Sequence, residues 1–196
     1  MRHILDRVSR RALPVLIGLS CLHASLLAAQ STASPPALSD SAMQALYLFN
    51  FAKFIEWPTS ALPEKQSPIR LCIYGEKPSE LRQSVGSIEG KTVQGRELAI
   101  RRNATLNELN DCQIVFVPGS EERWLSEVLR VAHAANALTV SDMEGFVESG
   151  GGVGLFMIDH QIRFEFNLDA IQAAQLKVSS QLLKLAKAVK GLGVRN

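Results

Sequence analysis

QIVFVP, residues 113–118, is an almost unbroken apolar run set between polar and turn-forming residues. Six residues is the length of a strand, and successive apolar side chains mean that the strand is covered on both faces. Strands of that kind belong to parallel sheets sandwiched between helices. Working outward, IRLCIY (69–74), RELAIRR (96–102) and ALTVS (137–141) read as three more strands. PSELRQSV (78–85) reads as a short helix, and a helical turn falls near Leu106. SEERWLSEVLRVAHAA (120–135) is a longer helix, with Ser120 as its cap and acids in the first turn. Strand and helix in alternation imply an α/β fold: a mainly parallel sheet with helices on both faces.

The flanks complete the expectation. Ser39 or Asp40 caps a helix running through MQALYLFNFAKFIEW (43–57) until Pro58 stops it. Its apolar residues surround nearly the whole barrel, the pattern of a buried helix. MEGFVES (143–149) reads as a short helix closed by Gly150–Gly152, whose glycines allow a tight turn. GVGLFMI (152–158) then pairs with IRFEFNL (162–168) across Asp159, His160 and Gln161, as an antiparallel hairpin at the sheet edge. A long helix from Leu168 to Val189 ends the reading, its apolar positions forming a near-heptad stripe that serves core packing first and dimer pairing second. No repeat and no second domain is evident.

Residues 1–29 read as a signal peptide. Arg2, Arg7, Arg10 and Arg11 lead an apolar stretch from Ala12 to Ala29, broken by Pro14, Ser20, His23 and Ser25. Cleavage is expected between Ala29 and Ser34, and residues 30–39 read as a flexible spacer before one domain at 40–196. The full chain has 21 basic and 19 acidic residues, and loss of the leader leaves 17 against 18. A near-neutral exported protein without a basic stripe is not a nucleic-acid binder.

Catalytic and metal chemistry lack their parts. The Gly150–Gly154 cluster opens onto a strand with no Lys-Ser/Thr after it, so it is no phosphate loop. Gly119-Ser120 has no nucleophile elbow around it, and His133 and His160 sit in no ligand spacing. Asp142 and Glu144 close a strand, where such residues commonly cap the next helix. The reading is therefore of a non-enzyme without cofactor or metal. Cys72 lies within the first strand and Cys112 just before the third. In a sheet of order 2-1-3-4 those strands are neighbours, within disulfide reach. A structural staple is the first reading of the pair and a redox sensor the second.

Several segments together resemble the YfiR family of periplasmic regulators. They are YLFNFAKFIEWP (47–58), LCIYG (71–75) with KTVQGRELAIRR (91–102), NDCQIVFVPGSE (110–121), LTVSDMEGF (138–146) and RFEFNLDAIQAAQLKVSSQLLKLAKAV (163–189). The resemblance implies a non-enzymatic periplasmic repressor that binds an inner-membrane diguanylate cyclase and restrains cyclic di-GMP and biofilm formation. It further implies sequestration by an outer-membrane lipoprotein, possible homodimers, and a stability that depends on oxidation state. Cys72 and Cys112 match the family's first disulfide pair; the second pair that some members carry near DMEGFVESGG (142–151) is missing here. From the residues alone, Trp57, Glu165 and Ile171 are candidate partner-binding positions: an aromatic and an aliphatic at element ends, and an acid on the outer face of the hairpin. A periplasmic small-molecule binder is the alternative, because such sheets collect ligands at the carboxyl ends of their strands.

Overall fold

The computed structural model describes residues 38–159 and 161–191. The signal peptide expected at 1–29, most of the spacer, and His160 lie outside the described residues. Ser39 takes the cap position, its side chain accepting the Ala42 amide at 3.2 Å, and opens α1 (Asp40–Phe54). There follow β1 (Ile55–Glu56), β2 (Ile69–Tyr74), α2 (Glu80–Ser84), β3 (Thr92–Val93), β4 (Arg96–Ala104), β5 (Ile114–Val117) and α3 (Leu125–Ala134). The rest comprises β6 (Leu138–Ser141), β7 (Val153–Ile158), β8 (Gln161–Asn167), α4 (Leu168–Ala173), β9 (Lys177–Val178), α5 (Ser180–Leu185) and β10 (Ala188–Lys190). Three 3₁₀ segments complete the order: Val85–Ser87 follows α2, and Leu106–Asp111 and Gly119–Trp124 precede β5 and α3.

Eight strands form one sheet in the order β10-β8-β7-β6-β5-β2-β4-β3, while β1 and β9 pair separately. The four central strands stand in the expected 2-1-3-4 order and are mutually parallel. Antiparallel pairing is confined to β7 with β8 and β3 with β4 among the eight. Period-two alternation in β2 and β5 divides the interior into two cores. Ile69, Leu71, Ile73, Ile114 and Phe116 meet α1, α2, α4 and α5 on one face. Cys72, Tyr74, Val115 and Val117 meet α3 and the Leu106–Asp111 turn on the other. In the first core Tyr47, Phe51, Phe164 and Phe166 form a cluster of edge-to-face pairs, with Tyr47 tilted on Phe51, and centroids 5.5–6.3 Å apart. Such pairs add about 0.5–1.5 kcal/mol beyond area burial.

Four local expectations are corrected. No single helix covers 168–189: the segment is α4, β9, α5 and β10 in succession. Gln175 adopts a left-handed φ of 56°, Val178 pairs with Ile55, and Ser179 recaps the chain by accepting the Leu182 amide. The hairpin is not at the edge, because β10 lies parallel along the outer side of β8. Residues 143–149 make successive turns in place of a helix, since Gly145 sits at φ 69°. Ser120 caps nothing; it lies inside a 3₁₀ turn whose cap position is Pro118, and α3 begins at Leu125. In addition, the expected helix does not reach Trp57: Ile55 and Glu56 leave α1 as a strand because they find partners in β9.

Candidate binding surfaces and the disulfide

Cys72 and Cys112 are joined in a disulfide with Cα atoms 6.0 Å apart. The parallel pairing of β2 with β5 brings them together, Cys72 lying opposite Val115. Both are essentially without solvent exposure, within the core that α3 covers. A buried disulfide is reached by an attacking thiolate only after local opening, so the bond acts as a staple in the closed protein.

The connections around β2 open a crevice. From β2 the chain crosses through α2 on the first core to β4, whereas from β5 it crosses through α3 on the second core to β6. The loops after β2 and β5 therefore part company above adjacent strand ends, the switch-point geometry of a doubly wound sheet. The resulting cavity measures about 590 Å³ and is lined by Tyr74, Lys77, Leu106, Glu121, Arg123 and Trp124, among others. Glu121 is buried at 4% exposure, its carboxylate lying over Gly75 where a Cβ would come within 2.7 Å of Oε1. Beneath this floor, Arg82 is also buried. Its guanidinium donates to the carbonyls of Tyr74, Gly75, Lys77 and Arg102 and to Asn103 Oδ1, tying the end of β2 to β4. Burial lowers the Arg82 pKa from its ordinary value, which nearby Glu121 partly offsets. Burial raises the Tyr74 pKa, and the charges of Glu121 and Glu127 raise it further against Arg123.

The three candidate partner residues do not share one patch. Trp57 is half-buried against the first core, and its Nε1 donates to the Gln113 carbonyl at 2.9 Å. Ile171 is 4% exposed: α4 presses it into the same core, so the accessibility expected of it is not seen. Glu165 leaves β8 on the opposite face from Phe164 and Phe166, with Lys190 Nζ at 3.5 Å. Lys190 also pairs with Glu148, fastening β10 to the turn before β7. Met157 and Ile158, at the tip of the hairpin, are the exposed apolar side chains of this region. Asp142 accepts the Gly119 amide at 3.0 Å, a loop-bracing role. Among the described residues no cluster of His, Cys, Asp and Glu is arranged to hold a metal ion.

The sequence reading missed Arg82, Glu121 and Trp124. The first two look like ordinary charged positions on short helical segments. Only the Tyr74-Gly75 step, a turn directly after a buried strand, hinted at a switch-point loop.

Sheet order and disulfide together define a sulfur-stapled doubly wound α/β domain with a crevice at its switch point. The YfiR/HmsC-like family model matches residues 41–187, and the chain belongs to that family. YfiR-like proteins are periplasmic, regulatory and non-catalytic. Among the described residues no helix is long and apolar enough to cross a membrane. A solved conserved domain protein from Vibrio cholerae O1 biovar El Tor matches with TM-score 0.50 and 10% identity, over 78% of this chain and 61% of that one. The ABC domain in complex with L-Trp from Streptococcus pneumonia matches with TM-score 0.49 and 11% identity, over 76% and 60%. The chain thus spans about three fifths of the length of these solved proteins, and the likeness to the first concerns fold alone.

Proposed function

We propose that this chain is a periplasmic repressor that binds the sensing portion of an inner-membrane diguanylate cyclase and holds it inactive, lowering cyclic di-GMP and restraining biofilm formation. The observation that carries the reading is the family match across residues 41–187. An outer-membrane lipoprotein that sequesters the repressor, and a homodimeric form, belong to the same proposal. The test is deletion in the native bacterium combined with crosslinking in living cells. Cyclic di-GMP should rise in the deletion strain, and a membrane cyclase should be captured on the chain. Unchanged cyclic di-GMP would count decisively against it.

A second reading, a small-molecule binding or sensing protein, is favoured by one observation, the crevice of about 590 Å³ at the switch point. Pockets for small ligands fall at about 300–1,000 Å³. Ligand-dependent thermal stabilisation without any protein partner would shift the balance toward this reading.

A further inference from the structure

We propose that the crevice at the carboxyl ends of β2 and β5 is a binding site for a small organic cation, a primary amine, whose ammonium pairs with Glu121 and whose carbon skeleton lies against Tyr74 and Trp124. The inference deepens the small-molecule reading and is independent of whether the chain represses a cyclase.

Glu121 is buried in the wall of the crevice. A carboxylate withdrawn from water needs hydrogen bonds or a close counter-charge to offset its desolvation. Arg82 does not supply one within ion-pair distance, because its donors are spent on backbone carbonyls and Asn103. The ion-pair contact that Glu121 does make among the described residues is loose, Lys77 Nζ at 3.9 Å, and that lysine side chain is half-exposed at 51%. The carboxylate is thus held in a cavity wall, fixed over Gly75, with its best counter-charge at arm's length.

The second observation is the company it keeps. Trp124 is 40% exposed, an unusual exposure for so large an apolar side chain, and it stands on the same cavity rim. Its ring already carries a cation, the Arg123 guanidinium, 5.5 Å from the centroid. Tyr74 forms the floor, where burial first, and then the charges of Glu121 and Glu127 against that of Arg123, raise its pKa. A buried anion beside aromatic faces is the chemistry that recognises an ammonium with an apolar body. Lys77, whose Nζ donates to the Ser120 carbonyl at 2.5 Å, then acts as the resident cation that a ligand ammonium displaces into solvent.

The experiment is isothermal titration of the disulfide-intact protein with benzylamine and n-butylamine, using benzyl alcohol, n-butanol and inorganic phosphate as controls. Saturable binding of the amines, and not of the alcohols or phosphate, is expected. Glu121→Gln should weaken binding at least about tenfold, the scale of one charge-assisted hydrogen bond. Trp124→Ala, at an exposed position that does not endanger folding, should weaken it severalfold. Lys77→Met should strengthen it by removing the competitor. Absence of amine binding, equal binding by the Glu121 variant, or loss of binding in the Lys77 variant would each overturn the proposal; binding of phosphate would assign the crevice to anions instead. The deletion phenotype in cyclic di-GMP is measured without any amine, so failure here leaves the repressor reading intact.

Discussion

At the residue scale, two buried features set stability through different physics. The Cys72–Cys112 bond closes a sequence separation of 40 residues. In the chain-entropy model a loop of that size stabilises by about 4 kcal/mol. Cys72→Ser or Cys112→Ser should therefore lower the melting temperature by on the order of 10 °C, read by thermal denaturation of oxidised samples. Equal melting of wild type and variant would remove the staple from the account. His133, in α3, is held on the neutral side by burial, which pushes its pKa below the ordinary histidine value, and its Nε2 is buried without a hydrogen-bond partner among the described residues. The unfolded chain then takes up the proton more readily than the folded one. Stability from this group is complete above the unfolded pKa of about 6.5 and is lost as pH falls through that value. Denaturant titrations at a series of pH values should show the decline below about pH 6.5, and His133→Gln should flatten it. The same slope in the variant would place its origin elsewhere.

At the scale of elements, the contrast between the middle and the end of the chain is instructive. The four central strands and their order were readable because QIVFVP (113–118) and IRLCIY (69–74) carry apolar residues on both faces, a pattern that few other structures satisfy. The stretch 168–189 misled because Ala, Leu, Lys and Gln all favour helix, while its fate is decided by partners distant in sequence. Lys177 and Val178 are drawn out as β9 by Ile55 and Glu56, and the Lys187 amide is taken by the Phe164 carbonyl at the start of β10. Neither partner can be seen in a local window. The crevice was illegible for a related reason: Glu121 and Trp124 acquire meaning only when the loops after β2 and β5 are set side by side. The break in the helix has a measurable consequence. A single stripe would treat Leu182 and Leu185 alike, whereas the structure buries Leu182 at 3% exposure and leaves Leu185 at 68%. Leu182→Ala should cost about 2–4 kcal/mol and Leu185→Ala under about 0.5 kcal/mol, measured by chemical denaturation. Equal costs would restore the continuous helix.

At the scale of the whole molecule, the proposed recognition of a membrane partner would have to come from local surface and not from overall charge. Removal of the expected leader leaves 17 basic and 18 acidic residues, so no net field steers the encounter. Association with a cyclase domain should accordingly change little with ionic strength, apart from individual contacts. Glu165 is the candidate at which such a contact separates cleanly from stability. It stands on the sheet face away from the aromatic cluster, and Lys190, its neighbour at 3.5 Å, keeps a second partner in Glu148. Glu165→Gln therefore should cost under about 1 kcal/mol, since an ion pair at 3.5 Å whose lysine side chain is 44% exposed contributes little. If Glu165 meets the partner, the same substitution should reduce capture of the cyclase and raise cyclic di-GMP while the melting temperature stays within a few degrees. Loss of repression together with a large fall in melting temperature would mark Glu165 as part of the scaffold. Full repression by the variant would move the interface elsewhere, and the exposed hairpin tip at Met157 and Ile158 is where the apolar surface of that region lies.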